Sequence, residues 1–461
     1  MMDYSKFRQQ FNEGQTVSVN HKALITRALT KYPVDFALFR ELLQNSADAQ
    51  ANSASIEFYT SENIDVTTAA GIEKIHTAPI TRLRFQNDGL EFTAADWNRL
   101  KEIASGNPNE GKIGAFGVGF YSVFELTDEP LVHSGNEIMN FRYKDVQLHY
   151  DFQKVEQFQK GTLIDLVYKE AIPLPELAKF VGFLIQSFML VNLNEISLVL
   201  KTPNNNKIEL LKLNKTTLKS TPIVPENTVS QSPNKMFKLA GITRSEVEVT
   251  IKYLNSTQKV DHSGSKLFSF GKRLVETLFT SSTDPTDYTS VEVKFTEVNG
   301  VFDVSVSKEF SNKMKATIMK PPPRKVNMSL LMFSNALKAD SSVDPKIQAY
   351  IFPKEFNDAK VFIGFATKQS TGLKSHLALN QAVPTMERTA IDMSNQFVKE
   401  WNREMFYTAG VLCRCIYEYE LSTLTKGNVT SSNNEALKIY ARFQFGQSAP
   451  DADVGLLIKA G

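Results

Sequence analysis

Two well-separated segments constrain this chain more than any others. Glu41-Leu42-Leu43-Gln44-Asn45-Ser46-Ala47-Asp48-Ala49 comes first, and Ile113-Gly114-Ala115-Phe116-Gly117-Val118-Gly119-Phe120-Tyr121-Ser122 follows. Pro33 opens the run that holds the first, with good helix formers and no glycine or proline after it through Ala49. Phe36, Phe39, Leu43 and Ala47 recur at steps of three and four, so one stripe of that helix faces a core. Glu41, Asn45 and Asp48 recur at the same steps on another stripe, where they meet one ligand or form a solvated polar face. Asn45 offers the neutral oxygen that Mg²⁺ accepts, and Glu41, one turn earlier, is placed to polarise a water towards a phosphate. Gly114, Gly117 and Gly119 let a backbone turn tightly against a ligand. Phe120 to Phe124 then reads as a helix start whose free N–H groups favour phosphate. No Gly-Lys-Ser/Thr follows, so this is not a P-loop. The two segments together predict an ATP site.

These residues resemble the motif boxes of the GHKL ATPases: gyrase, heat-shock chaperone, histidine kinase and MutL. The glycine box is close to that of the ninety-kilodalton heat-shock chaperones. Asn87-Asp88-Gly89-Leu90-Glu91-Phe92-Thr93 with Asp96-Trp97, and Thr127-Asp128 with Ser134-Gly135, resemble the sacsin branch and point to a large, fungal, chaperone-like protein. The resemblance runs over residues 15–170 and implies roles. Glu41 is the general base and Asn45 the Mg²⁺ ligand. Asp48 supports the adenine end through water. Gly114, Phe116, Gly117, Val118, Gly119 and Phe120 offer contacts to the phosphates, with Lys112 just before them. Ser105, Gly106 and Asn107 lie on a lid. Gly161-Thr162 supplies the late threonine that reaches the base. One departure stands out. The family's aspartate is replaced by Asn87, with Asp88 beside it, and Glu91 stands where a second glycine follows Gly89. Either Asn87 or Asp88 would meet the base.

The expected fold is α+β. A two-layer α/β sandwich of Bergerat type occupies residues 1–195, a transducer-like α+β domain 196–395, and a helical segment with a loose tail 396–461. Asn204-Asn205-Asn206 and Thr221 to Pro233 read as turns near the first boundary. Val247 to Tyr253 and Val291 to Phe295 alternate as strands, and Val301 to Val306 is expected to return across an Asn299-Gly300 hairpin. Residues 346–367 add two strands, and 395–425 a long helix with Trp401, Met405 and Leu412 near one face. In chaperone and MutL relatives, a basic residue of the second domain touches the γ-phosphate. Arg388, in Pro384-Thr385-Met386-Glu387-Arg388, is the first choice here, ahead of Lys368 and Lys374.

Length fits two or three domains. No apolar run is long enough to span a membrane, and the N-terminus lacks the basic and apolar stretches of a secretory signal. Cys413 and Cys415 are the only cysteines, two apart on a helix and unsuited to a mutual disulfide, which suits the cytoplasm or nucleus. Residues 201–240 hold seven lysines against Glu209 and Glu226, a local basic patch on a chain of net charge +2. Three functions follow: slow, Mg²⁺-dependent ATP hydrolysis driving a chaperone-like cycle on a protein client, with dimerisation on ATP binding; a nucleotide-gated clamp on nucleic acid of MutL or MORC type; or a module that holds ATP or ADP without turnover. A histidine kinase is disfavoured, because no phosphoacceptor helix precedes the site.

Overall fold

The computed structural model describes residues 19–30, 36–101, 119–204, 206–224, 231–254, 288–318, 320–333, 359–385, 389–425, 432–446 and 452–461. Among the described residues, the first part holds the α-helices α1 (His21–Thr30), α2 (Ala37–Asp48), α3 (Ala69–Ile75), α4 (Ala94–Lys101) and α5 (Leu177–Leu190). β1 (Ser53–Thr60) alternates perfectly, burying Ala54, Ile56 and Phe58 on one face. It pairs antiparallel with β2 (Pro79–Asn87), which in turn pairs with β4 (Gln147–Pro173). β3 (Leu131–Lys144) folds onto β4 through a tight turn in which Asp145 takes a left-handed backbone. α2 lays Phe39 against Phe58 and against Phe180 of α5, so the apolar stripe read from the sequence is the one that packs on the sheet. Phe36, just before α2, holds φ at 65° and is gripped by the rings of Phe180 and Phe183.

The expected boundary at 195 does not separate two sheets. β5 (Glu195–Lys201) runs parallel to β1 in unbroken register and hands the sheet on to β6 (Lys207–Ile223), β7 (Phe237–Leu254), β8 (Tyr288–Val304) and β9 (Lys325–Phe333). β10 (Lys360–Ile363), β11 (Phe365–Ser370) and β12 (His376–Leu379) complete one twelve-stranded, mostly antiparallel open sheet in the order β11-β10-β12-β9-β8-β7-β6-β5-β1-β2-β4-β3. Two apolar clusters lie on it and share its strands. In β7, Val247, Val249, Ile251 and Tyr253 belong to the first cluster, while Phe237 and Ile242 belong to the second. In β8, Val291, Val293 and Phe295 face the first, and Val298 and Phe302 the second. The architecture is therefore mixed α/β on one large sheet, coarser than the expected sandwich plus separate transducer.

The second cluster is covered by α6 (Lys308–Ile318), α7 (Gln396–Thr425), α8 (Ser432–Phe443) and α9 (Ala452–Ala460). Two expectations fail here. Asn299-Gly300 is no hairpin, because β8 runs straight through it. Glycine is needed there for another reason: a Cβ would sit 2.9 Å from both Leu412 Cδ1 of α7 and the Phe302 ring. The tail is not loose either. α9 buries Val454 and Ile458, and it lies so close to α7 that a Cβ on Gly410 would stand 2.8 Å from the Gly461 carbonyl carbon. Cys413 and Cys415 are buried and form no disulfide. No helix among the described residues is long and apolar enough to cross a membrane.

Candidate functional site

The C-terminal two turns of α2, the end of β2 and the β3–β4 pairing converge. Asn87 ends β2 opposite Ala54 on one side and Thr162 on the other. It is buried, donates from Nδ2 to Ser46 Oγ at 3.1 Å, and accepts from Gly89 N–H at 3.0 Å. Ser46 spends its own proton on Leu42 C=O at 2.8 Å. A hydroxyl that donates there can only accept from Asn87, and an N–H can only donate, so the amide orientation follows from its partners. That leaves Asn87 with one donor hydrogen and one acceptor lone pair beyond these two bonds.

Asp88 is spent elsewhere. Its Oδ1 accepts from Asn52 N–H at 2.8 Å and Ser53 N–H at 2.7 Å, closing the turn into β1. Burial works to raise the Asp88 carboxyl, but these backbone donors outweigh it and hold the group below its usual value. Of the two candidates at the family's aspartate place, Asn87 is the one tied to α2. Gly89 is required there by close approach, since a Cβ would lie 2.7 Å from Ala49 C=O. Glu91, in the second glycine's place, reaches over the hairpin and accepts from Gly161 N–H at 3.4 Å. Gly161 takes φ 66°, and a Cβ on it would stand 2.9 Å from the Asn87 carbonyl carbon. Thr162 is buried beside Ser134, with 3.3 Å between the two hydroxyls, and Ser134 also donates to Gly161 C=O and accepts from Phe92 N–H.

Glu41 lies at the other end, buried on α2. Arg40 Nε stands 3.9 Å from Glu41 Oε1, and the Arg40 guanidinium lies 5.9 Å from the centre of the Phe365 ring on β11. Gly119 comes against the same carboxylate: a Cβ there would stand 2.8 Å from Glu41 Cδ and overlap Oε2. Gly119, the last glycine of the box, therefore meets the head of α2. Asn45 is exposed and Asp48 half-buried on the same helix. Phe120 opens a 3-10 helix over Phe120–Glu125, shorter than the expected helix start, and packs on Phe141.

Ser105, Gly106, Asn107, Lys112, Gly114, Phe116, Gly117, Val118 and Arg388 lie outside the described residues. Lys368 is exposed on β11, and its backbone N–H donates to Thr389 C=O at 2.8 Å. Arg40 lay outside the motifs read from the sequence, and Gln44, Ser46 and Ser134 stood inside quoted motifs without an assigned role. Three of the seven lysines of 201–240 are engaged: Lys201 pairs with Glu57, Lys212 with Glu195, and half-buried Lys215 donates to Phe188 C=O and Val191 C=O, while Lys207, Lys219, Lys235 and Lys238 are exposed.

A family profile described as "Protein of unknown function (DUF3684)" matches residues 187–461, and one described as "Sacsin domain" matches residues 20–217. Their overlap falls on the end of α5, on β5 and on most of β6, all within the first apolar cluster. Sacsin of Homo sapiens is 32% identical over 112 residues, which is 24% of this chain and 2% of sacsin. The chain thus spans a very small part of that relative. A crystal structure of the N-terminal domain of a DNA repair protein aligns over 50% of this chain and 71% of its own, at 15% identity and a TM-score of 0.28.

Proposed function

The chain belongs to the family described as "Protein of unknown function (DUF3684)", and we propose that it is a sacsin-like, chaperone-type module that binds Mg²⁺·ATP and hydrolyses it slowly. The observation that carries this reading is the pressing of Gly119 against the Glu41 carboxylate, while Asn87 and Thr162 are aligned at the far end of the same helix. One end offers a carboxylate beside Gly119, the other the polar side chains of Asn87 and Thr162. The donors fit the ligand. Asn45 presents an exposed carboxamide of the hard-oxygen kind that Mg²⁺ takes while keeping its waters. Mg²⁺·ATP would bring the transferable phosphoryl group. Glu41 would take the proton of the attacking water, with the buried Arg40 guanidinium 3.9 Å away to orient it. Phosphoryl transfer asks little covalent chemistry of a protein and much positioning, so a carboxylate confined between Arg40 and Gly119 suits it.

The nucleic-acid clamp is the second reading: Lys207, Lys219, Lys235 and Lys238 are exposed, while Lys201 and Lys212 are paired with carboxylates on neighbouring strands and the Lys215 amine is held by two backbone carbonyls. The test is ATP hydrolysis and nucleotide binding by wild type and Glu41→Ala. Binding kept with turnover lost is the expected result. Binding without turnover in both proteins would make the module a nucleotide-held switch, and no binding would end the nucleotide reading.

A further inference from the structure

Gln44 is buried on α2 at 3% exposure, yet its amide nitrogen has no hydrogen-bond partner among the described residues. Such a donor is costly, and native proteins keep one where something else satisfies it. Its place on the helix says what that is. Gln44 follows Glu41 by three residues and precedes Asp48 by four, so the three share one stripe. Its neighbours one turn back are Arg40 and Glu41, with the buried guanidinium 3.9 Å from the carboxylate. The opposite stripe is already filled: Leu42, Leu43 and Ser46 are buried in the core or bonded to Asn87.

We propose that Gln44 is a ligand-contacting residue whose amide donates to a phosphoryl oxygen of the bound nucleotide, between the positions of Glu41 and Asp48. An amide N–H₂ can only donate, so the group it meets is an acceptor, and the acceptors that the nucleotide reading brings beside Glu41 and Gly119 are phosphoryl oxygens. The inference rests on the nucleotide reading above and deepens it. It also accounts for why a glutamine, with a costly orphan donor, is kept where leucine would pack.

The experiment uses the full 461-residue chain. Wild type, Gln44→Met and Gln44→Glu are compared in apo melting temperature and in affinity for Mg²⁺·ATP and for adenosine. Methionine keeps the volume and removes the orphan, so the apo protein should melt at or above wild type. Its ATP affinity should fall about tenfold, the cost of one hydrogen bond to a charged group, with adenosine affinity unchanged. Glutamate, which presents a like charge to phosphate, should lose more of the ATP affinity and none of the adenosine affinity. ATP affinity unchanged in Gln44→Met would overturn the proposal, as would an equal loss for ATP and adenosine, which would mark a structural role. Wild type that binds neither ligand would defeat the nucleotide reading itself, a result separate from either of those.

Discussion

Gly119 leaves the Glu41 carboxylate almost no room, since any side chain there would occupy the space of Oε2. Gly119→Ala should therefore displace the carboxylate by a fraction of an ångström to an ångström and lower ATP turnover by about 10²-fold, with nucleotide affinity changed much less. Single-turnover hydrolysis alongside equilibrium binding would check it. An alanine variant with wild-type turnover would mean that the glycine serves helix packing alone. At this scale the motif residues were legible because their chemistry is local: a glycine must be a glycine where another backbone or side chain approaches. Asn87 against Asp88 was not legible. What decides between them is where Asn52 N–H, Ser53 N–H and Ser46 Oγ end up, and those groups are brought in by β1 and α2 from over thirty positions away.

Among the elements, α5 depends on a single side chain from a neighbouring strand. Lys215 of β6 donates to Phe188 C=O at 3.0 Å and Val191 C=O at 2.6 Å, at the helix's C-terminal end. Burial pushes its amine down to about 8 from the usual 10.5, against the pull of Glu297. A lysine lowered on folding binds its proton less well in the native state than in the unfolded chain. Between about pH 8 and pH 10.5 the unfolded chain holds more protons, so stability rises with pH in that window. Denaturant unfolding of wild type should gain up to about 3 kcal/mol relative to Lys215→Met from pH 8 to 10.5, an order-of-magnitude figure from the shift. A difference that stays flat across the window would mean the amine is as well solvated as in the unfolded chain. Element by element, most boundaries were legible from periodicity, as β1 and α2 illustrate. β8 misled because Asn-Gly has two uses, turning a chain or admitting a close neighbour, and only the position of Leu412 on α7 distinguishes them. α9 was missed because its glycines read as loop, whereas close packing on α7 explains Gly461, where a Cβ would lie 2.6 Å from the Tyr407 carbonyl carbon.

For the molecule as a whole, continuity of the sheet matters more than the number of its domains. Ile196, Leu198, Val199 and Leu200 of β5 are fully buried, each contributing roughly 2 kcal/mol, and they stand beyond the expected boundary at 195. A fragment ending at residue 195 should therefore lack a cooperative thermal transition and near-ultraviolet dichroism. A sharp melt from that fragment would show that the first cluster folds without β5. Parallel pairing between β1 and β5 is a long-range choice, written in no local pattern, so the continuity of the sheet past residue 195 was not legible.

The strands shared by both clusters also have a mechanical meaning. β7 holds 18 residues and joins Phe237 in one cluster to Tyr253 in the other. At about 3.3 Å per residue it is a bar roughly 60 Å long, so a tilt of about 5° at one end carries the other through about 5 Å. Movements too small to notice beside a ligand would arrive at the far end as displacements the width of a side chain, with the strand acting as pointer and gearing at once.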